Sequence, residues 1–176
     1  MKWLLYLLIV LVLVFIVLML IAPKEYKVER STIINKTNAE VFNYLKFLKN
    51  QDSWAPWANI DPDMEKTYTS TDGEVGFISA WKSNHKKVGH GEQEITKIVD
   101  GQRIDTELRF LKPFKSTSNG YLLLDDVDGG TKVTWGFEGE MKPPMNIMML
   151  FMNMEKSAGS DFETGLQNLK EILEKE

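Results

Sequence analysis

Hydrophobic and polar positions divide this chain into two unlike parts. Trp3 opens and Ala22 closes an apolar run, WLLYLLIVLVLVFIVLMLIA, of twenty positions with no charge, glycine or proline. At about 1.5 Å of rise per residue such a helix is about 30 Å long, the hydrocarbon thickness of a bilayer. All 25 acidic residues and all 12 glycines lie beyond it. The pattern predicts an apolar rod over residues 1–23 and a water-soluble domain over residues 24–176.

Within the second part the period changes several times. Residues 27–34 alternate loosely and are rich in β-branched side chains, which predicts a first strand. Thr37 and Glu40 have capping-box spacing, and Val41, Phe42, Leu45 and Leu48 follow at helical intervals. A proline-containing loop with Trp54 and Trp57 comes next, over residues 51–62. Strand-like stretches then occupy residues 65–70, 76–82, 87–99, 103–111, 115–124 and 131–138. Asp128-Gly129-Gly130, Asp100-Gly101 and Ser83-Asn84-His85 punctuate them, as tight turns that need positive φ do. From Asn146 onward, Ile147, Phe151, Met154, Ala158, Phe162, Leu166, Leu169 and Leu173 sit three or four apart. This predicts one face of a long helix, bent at Gly159. A run of hairpins gives an antiparallel sheet with one face in water, and the long helix is the element able to cover the other. The expected fold is α+β: a curved antiparallel sheet gripping a long C-terminal helix, preceded by a single transmembrane helix.

The rod is expected to be an uncleaved anchor. A secretory signal has a shorter apolar region of roughly 7–15 residues and small residues before its cleavage site. Here Leu20 stands where a small residue belongs, and Pro23 follows Ala22. A buried soluble helix apolar all round would need a far larger protein to cover it. Lys24, Lys27 and Arg30 follow the run, against Lys2 and the terminal amine before it. The positive-inside rule therefore places the domain in the cytoplasm. Zero cysteines excludes disulfides and thiol chemistry. A net charge of −4 without a basic stripe speaks against nucleic acid as a partner. Oligomeric state is open.

Several segments carry a family resemblance. Glu40-Val41-Phe42 opens the first helix of the domain, followed by Trp54-Ala55-Pro56-Trp57 and Asp61-Pro62. Gly89-His90-Gly91 leads into Glu94-Ile95-Thr96, and Gly129-Gly130-Thr131-Lys132-Val133-Thr134-Trp135 closes the last hairpin. Asp161-Phe162-Glu163, Gly165-Leu166 and Leu169-Lys170 lie on the final helix. In this order the chain resembles the START-like, helix-grip superfamily (SRPBCC), in its polyketide cyclase/dehydrase-type branch. The resemblance implies a hydrophobic cavity between concave sheet and long helix, holding lipids, sterols, polyketides or other apolar molecules. It does not fix an activity.

Candidate pocket residues follow from strand parity and helix spacing. Phe77, Trp81, Leu108, Phe110, Leu122, Leu124, Trp135 and Phe137 are expected on or near the inner face, with Trp54 and Trp57 at the mouth. Met148, Phe151, Met152 and Met154 are expected opposite them. Each also has a plainer reading as packed core, and for the methionines as ordinary helix core. Arg103, Asp105, Glu107 and Arg109 alternate with apolar neighbours and should face water, leaving Gln93 and Tyr121 as faint acid–base candidates. His85 and His90 are five apart, an odd offset that puts them on opposite strand faces. No metal, cofactor or catalytic residue is assigned. Three readings result: a membrane-anchored binder of an apolar small molecule or lipid, a cyclase/dehydrase-type enzyme on an apolar substrate, and an interaction module whose cavity is filled by its own side chains.

Overall fold

The computed structural model of the chain describes residues 2–151 and 153–175. Helix α1 (Lys2–Ile21) stands apart with none of its residues buried. By length and composition it can cross a membrane; a signal sequence meets the same requirement.

Strand β1 (Glu25–Ile34) begins four positions after α1 ends. Helix α2 (Asn38–Leu45) is started by Thr37: its hydroxyl accepts from the Glu40 amide, and the Glu40 carboxylate accepts from the Thr37 amide. Such a cap contributes about 1 kcal/mol. Helix α2 stops at Leu45, short of the helical spacing that runs on to Leu48, and a 3-10 turn at Leu48–Asn50 follows; the short helix α3 (Gln51–Trp54) and a second 3-10 turn at Pro56–Asn59 replace the expected loop. Six strands follow: β2 (Glu65–Thr69), β3 (Ile78–Lys82), β4 (His90–Val99), β5 (Arg103–Lys112), β6 (Ser116–Val127) and β7 (Gly130–Glu140). They form one antiparallel sheet in the order β1-β7-β6-β5-β4-β3-β2. Helix α4 (Met154–Lys175) lies along it, chiefly against β1.

One expectation about the C-terminal region is corrected. The long helix does not begin near Asn146. Met145–Leu150 is a separate 3-10 helix behind Pro143-Pro144, and it turns back to the end of α1. The buried Asn146 side chain donates from Nδ2 to the carbonyls of Met19 at 2.9 Å and Ala22 at 3.2 Å. Two of the carbonyls a helix end leaves open are thereby satisfied. Helix α4 runs unbroken through Gly159. A side chain there would strike the Arg30 guanidinium, which reaches over α4 to Glu155 and Glu163 at 2.6 Å each. The glycine makes room for that crossing.

The core sits under α2 and the C-terminal half of α4. Phe162, Leu166, Leu169 and Leu173 of α4 meet Val28, Ile34, Ile104, Leu122, Leu124, Val133 and Trp135 of the sheet. Helix α2 adds Val41, Phe42 and Leu45. This covers one end of the concave face and leaves the other end open.

Candidate functional site

Register explains where the open end lies. Trp81, Gly91 and Phe110 share one inward row across β3, β4 and β5, and Ser79, Gln93 and Leu108 share the next. A third row runs through Thr106, Gly120 and Phe137. These rows lie toward the strand ends nearest α1. The rows beyond them, with Ile104, Leu122, Leu124 and Val133, are packed. Between the open rows, the residue 51–64 segment and the first half of α4 is a partly open cavity of about 460 Å³.

Its floor is aromatic. Trp81 meets Phe110 edge-on at 6.2 Å, and Phe110 meets Phe137 edge-on at 6.4 Å. Trp135 closes one side, stacked on Phe162 at 4.1 Å with 7° between the rings. Two glycines shape the floor. A Cβ at Gly91 would lie 2.5 Å from the Trp81 ring, and one at Gly120 would lie 2.7 Å from Leu108 Cδ1. Both positions stay bare so that larger side chains can lie across them.

Part of the wall is polar. Asp52 accepts an ion pair from Lys66 at 2.9 Å and a hydrogen bond from the Tyr68 hydroxyl at 2.8 Å. Burial, and then Asp52, push the Tyr68 hydroxyl up to about 12. Gln93 Nε2 donates to Thr106 Oγ1 at 3.1 Å, which in turn donates to the Gly120 carbonyl at 3.3 Å. Among the described residues the Gln93 amide oxygen has no protein partner. A largely apolar wall with a few polar groups suits an apolar molecule that carries a polar group.

Six sequence candidates border this cavity: Trp57, Trp81, Leu108, Phe110, Trp135 and Phe137. Met154, expected opposite the sheet, borders it too. Others do not. Trp54 is 2% exposed behind Trp135, which it meets edge-on at 4.7 Å. Together with Leu122 it borders a separate void of about 10 Å³, no larger than one water. Leu124 lies in the packed core under α2. Phe77 is fully buried at the far end of β3, beneath Tyr68. Met148 and Phe151 are off the wall because the chain leaves the line of α4 before Met154, and Phe151 is 80% exposed. Met152 lies outside the described residues. Gln51, Asp52, Lys66, Ser79, Val88 and Phe162 line the cavity without having been singled out for it. Phe162 has core spacing on α4; Ser79 and Trp81 share a face by strand parity, and Lys66 joins them because it pairs with Trp81.

The charged residues of β5 point away, as parity requires. On the convex face Arg109 holds Glu92 and Glu107 at 2.6 Å and Glu94 at 2.8 Å. Tyr121 is on that face as well, donating to Glu29 at 2.5 Å. It is therefore remote from the cavity, and its hydroxyl is pushed up to about 12 by burial and then by Glu29. Asp52 and Asp161 are the carboxylates on the cavity wall, and the first is already engaged.

No curated protein matches the chain in sequence. Solved structures match its fold. The di-domain ARO/CYC StfQ from the steffimycin biosynthetic pathway superposes with a TM-score of 0.66 at 9% identity, over 86% of this chain and 51% of that one. A Staphylococcus aureus protein of unknown function gives 0.65 at 11% identity, over 86% and 95%. The Aha1 dimer from Colwellia psychrerythraea gives 0.58 at 14% identity, over 85% and 96%. At such identities the likeness is one of fold, the SRPBCC helix-grip fold. Sequence supplies the rest: residues 25–174 match the family described as "Polyketide cyclase / dehydrase and lipid transport", and the chain belongs to that family.

Proposed function

We propose that this protein is a membrane-anchored binding domain that holds an apolar small molecule or lipid in the cavity between sheet and α4. The observation that carries the reading is the cavity itself: about 460 Å³, floored by Trp81, Phe110 and Phe137. That volume is in the range of small-molecule sites. A void of this size also argues against an interior filled by the protein's own side chains. The family's description includes lipid transport, and an aromatic wall is the chemistry that would receive such cargo. Selectivity is loose on this reading, because an apolar wall discriminates one methylene by only about 1–3 kcal/mol. The Asp52, Lys66 and Gln93 side chains would receive the ligand's polar group. Helix α1 keeps the cavity at the bilayer, and Lys24, Lys27 and Arg30 set the domain on the cytoplasmic side.

The test is native mass spectrometry of the detergent-purified full chain, with extraction and identification of what co-purifies. One apolar molecule per chain is expected. An empty protein that also fails to take up a fluorescent fatty-acid probe overturns the reading.

A further inference from the structure

We propose that the domain has a second membrane contact besides α1: the three loop tips around the cavity mouth dock on an anionic lipid surface, so that ligand passes between bilayer and cavity. This rests on the anchored reading above. The argument begins with the short connection. Only Ala22, Pro23 and Lys24 separate α1 from β1, a reach of about 10 Å at full extension. Asn146 shortens it further by holding the end of α1. The end of the sheet that carries β1's first residue must therefore lie against the bilayer.

Register identifies what else is at that end. Glu25 pairs with Glu140, so the segment after β7 starts there. Lys112 pairs with His90 and His90 with Lys82, which brings the β5–β6 and β3–β4 turns to the same end. The three tips are residues 83–89, 111–116 and 141–151. They contain Lys86, Lys87, Lys112, Lys115 and Lys142 and not one acidic residue, in a chain of net charge −4. The nearest acids lie outside the tips: Asp61, which accepts a hydrogen bond from the Ser83 hydroxyl, Glu155 at the start of α4, and Glu25, Glu65 and Glu140 on the strands. Outside α1, the two most exposed large apolar side chains among the described residues are also here, Phe151 at 80% and Phe114 at 64%. Aromatic rings beside lysines suit the headgroup layer of an anionic bilayer.

The same tips frame the cavity. Lys87 and Val88 belong to the first, Phe110 precedes the second, and Met154 follows the third, and all four line the wall. Docking would set the mouth on the lipid rather than on water.

The chain has no cysteine, so single labels are clean. Full-length Phe114→Cys, Phe151→Cys, Val75→Cys and Leu11→Cys, each carrying an environment-sensitive fluorophore, are reconstituted into phosphatidylcholine vesicles with and without phosphatidylglycerol. Nitroxide-bearing lipids serve as quencher. Val75 is 61% exposed before β3, at the opposite end of the sheet. Labels at 114 and 151 are expected to lose most of their emission in the anionic vesicles while the label at 75 keeps its own. Labels at 114 and 151 quenched no more than that at 75, with the label at 11 quenched, overturn the docking and leave the anchor standing. An unquenched label at 11 overturns the anchored reading itself. Equal quenching at 114 with and without phosphatidylglycerol overturns the role given to the lysines.

Discussion

Phe162 stands at once in the core and on the cavity wall, and that double position makes a sharp prediction. Its ring is 5% exposed and stacks on Trp135 at 4.1 Å. Phenylalanine-to-alanine changes in cores cost about 3–5 kcal/mol, of which an aromatic pair accounts for about 0.5–1.5 kcal/mol. Because one side of the ring faces the cavity, fewer contacts are lost than at a closed site, and Phe162→Ala should sit near the lower bound, about 3 kcal/mol. Leu166→Ala, 2% exposed and off the cavity wall, should cost about 2–5 kcal/mol. The two differ in how ligand affects them. A ligand at a hundred times its dissociation constant adds about 2.7 kcal/mol to whatever binds it. Leu166→Ala should keep that increment in full, and Phe162→Ala should not. The assay is urea unfolding in mild detergent, followed by tryptophan fluorescence, with and without the fatty-acid probe. A loss below about 0.5 kcal/mol for Phe162→Ala would refute the burial of this helix face. An unchanged ligand increment in that variant would refute its place on the wall.

Charge on the wall should separate cavity from core. Leu108→Lys is expected to fold and to lose uptake of the fluorescent fatty-acid probe, whereas Leu122→Lys, at an 8% exposed core position, should fail to fold cooperatively; retained uptake by folded Leu108→Lys refutes the assignment. Asn146→Ala removes a donor shared by Met19 and Ala22. At about 1.4 kcal/mol for the lost contacts, trypsin should cut after Lys24 about tenfold faster, and an unchanged rate would deny the contact any role. Tyr68 and Tyr121 are both raised from 10.0 to about 12, so the folded state holds their protons longer than the unfolded one. Their contribution to stability is present below about pH 10 and is lost as pH rises through about 12. Tyr121→Phe should flatten part of that decline in unfolding curves, and tyrosinate absorbance rising at the ordinary value in the folded protein would contradict it.

The antiparallel run and the capping box were legible because both depend on local patterns. Alternation at Val133, Trp135 and Phe137 fixes a face, and Thr37 and Glu40 fix a start. Parity says which side of the sheet a residue is on, but not whether α2 covers it. Leu122 and Leu108 therefore read alike, although one is core and the other cavity wall. Met145–Leu150 was misread because Ile147 and Phe151 happen to extend the spacing of α4. Only the distant carbonyls of Met19 and Ala22 reveal where that segment goes. What Gly159 accommodates, Arg30, is likewise distant, 129 positions away in the chain.

On the anchored reading, the three residues between α1 and β1 would also alter the arithmetic of any weak contact between the domain and lipid. A free domain must find a membrane from bulk solution. One tethered this closely experiences the bilayer at an effective concentration on the order of millimolar. Loop tips too feeble to recruit a soluble protein would then be engaged most of the time. An apolar ligand dissolved in the same leaflet would be sought by diffusion in two dimensions, so modest intrinsic affinity would suffice for the cavity to stay occupied. On the anchored reading, shortness of the connection, more than strength of any single contact, sets how full the site is.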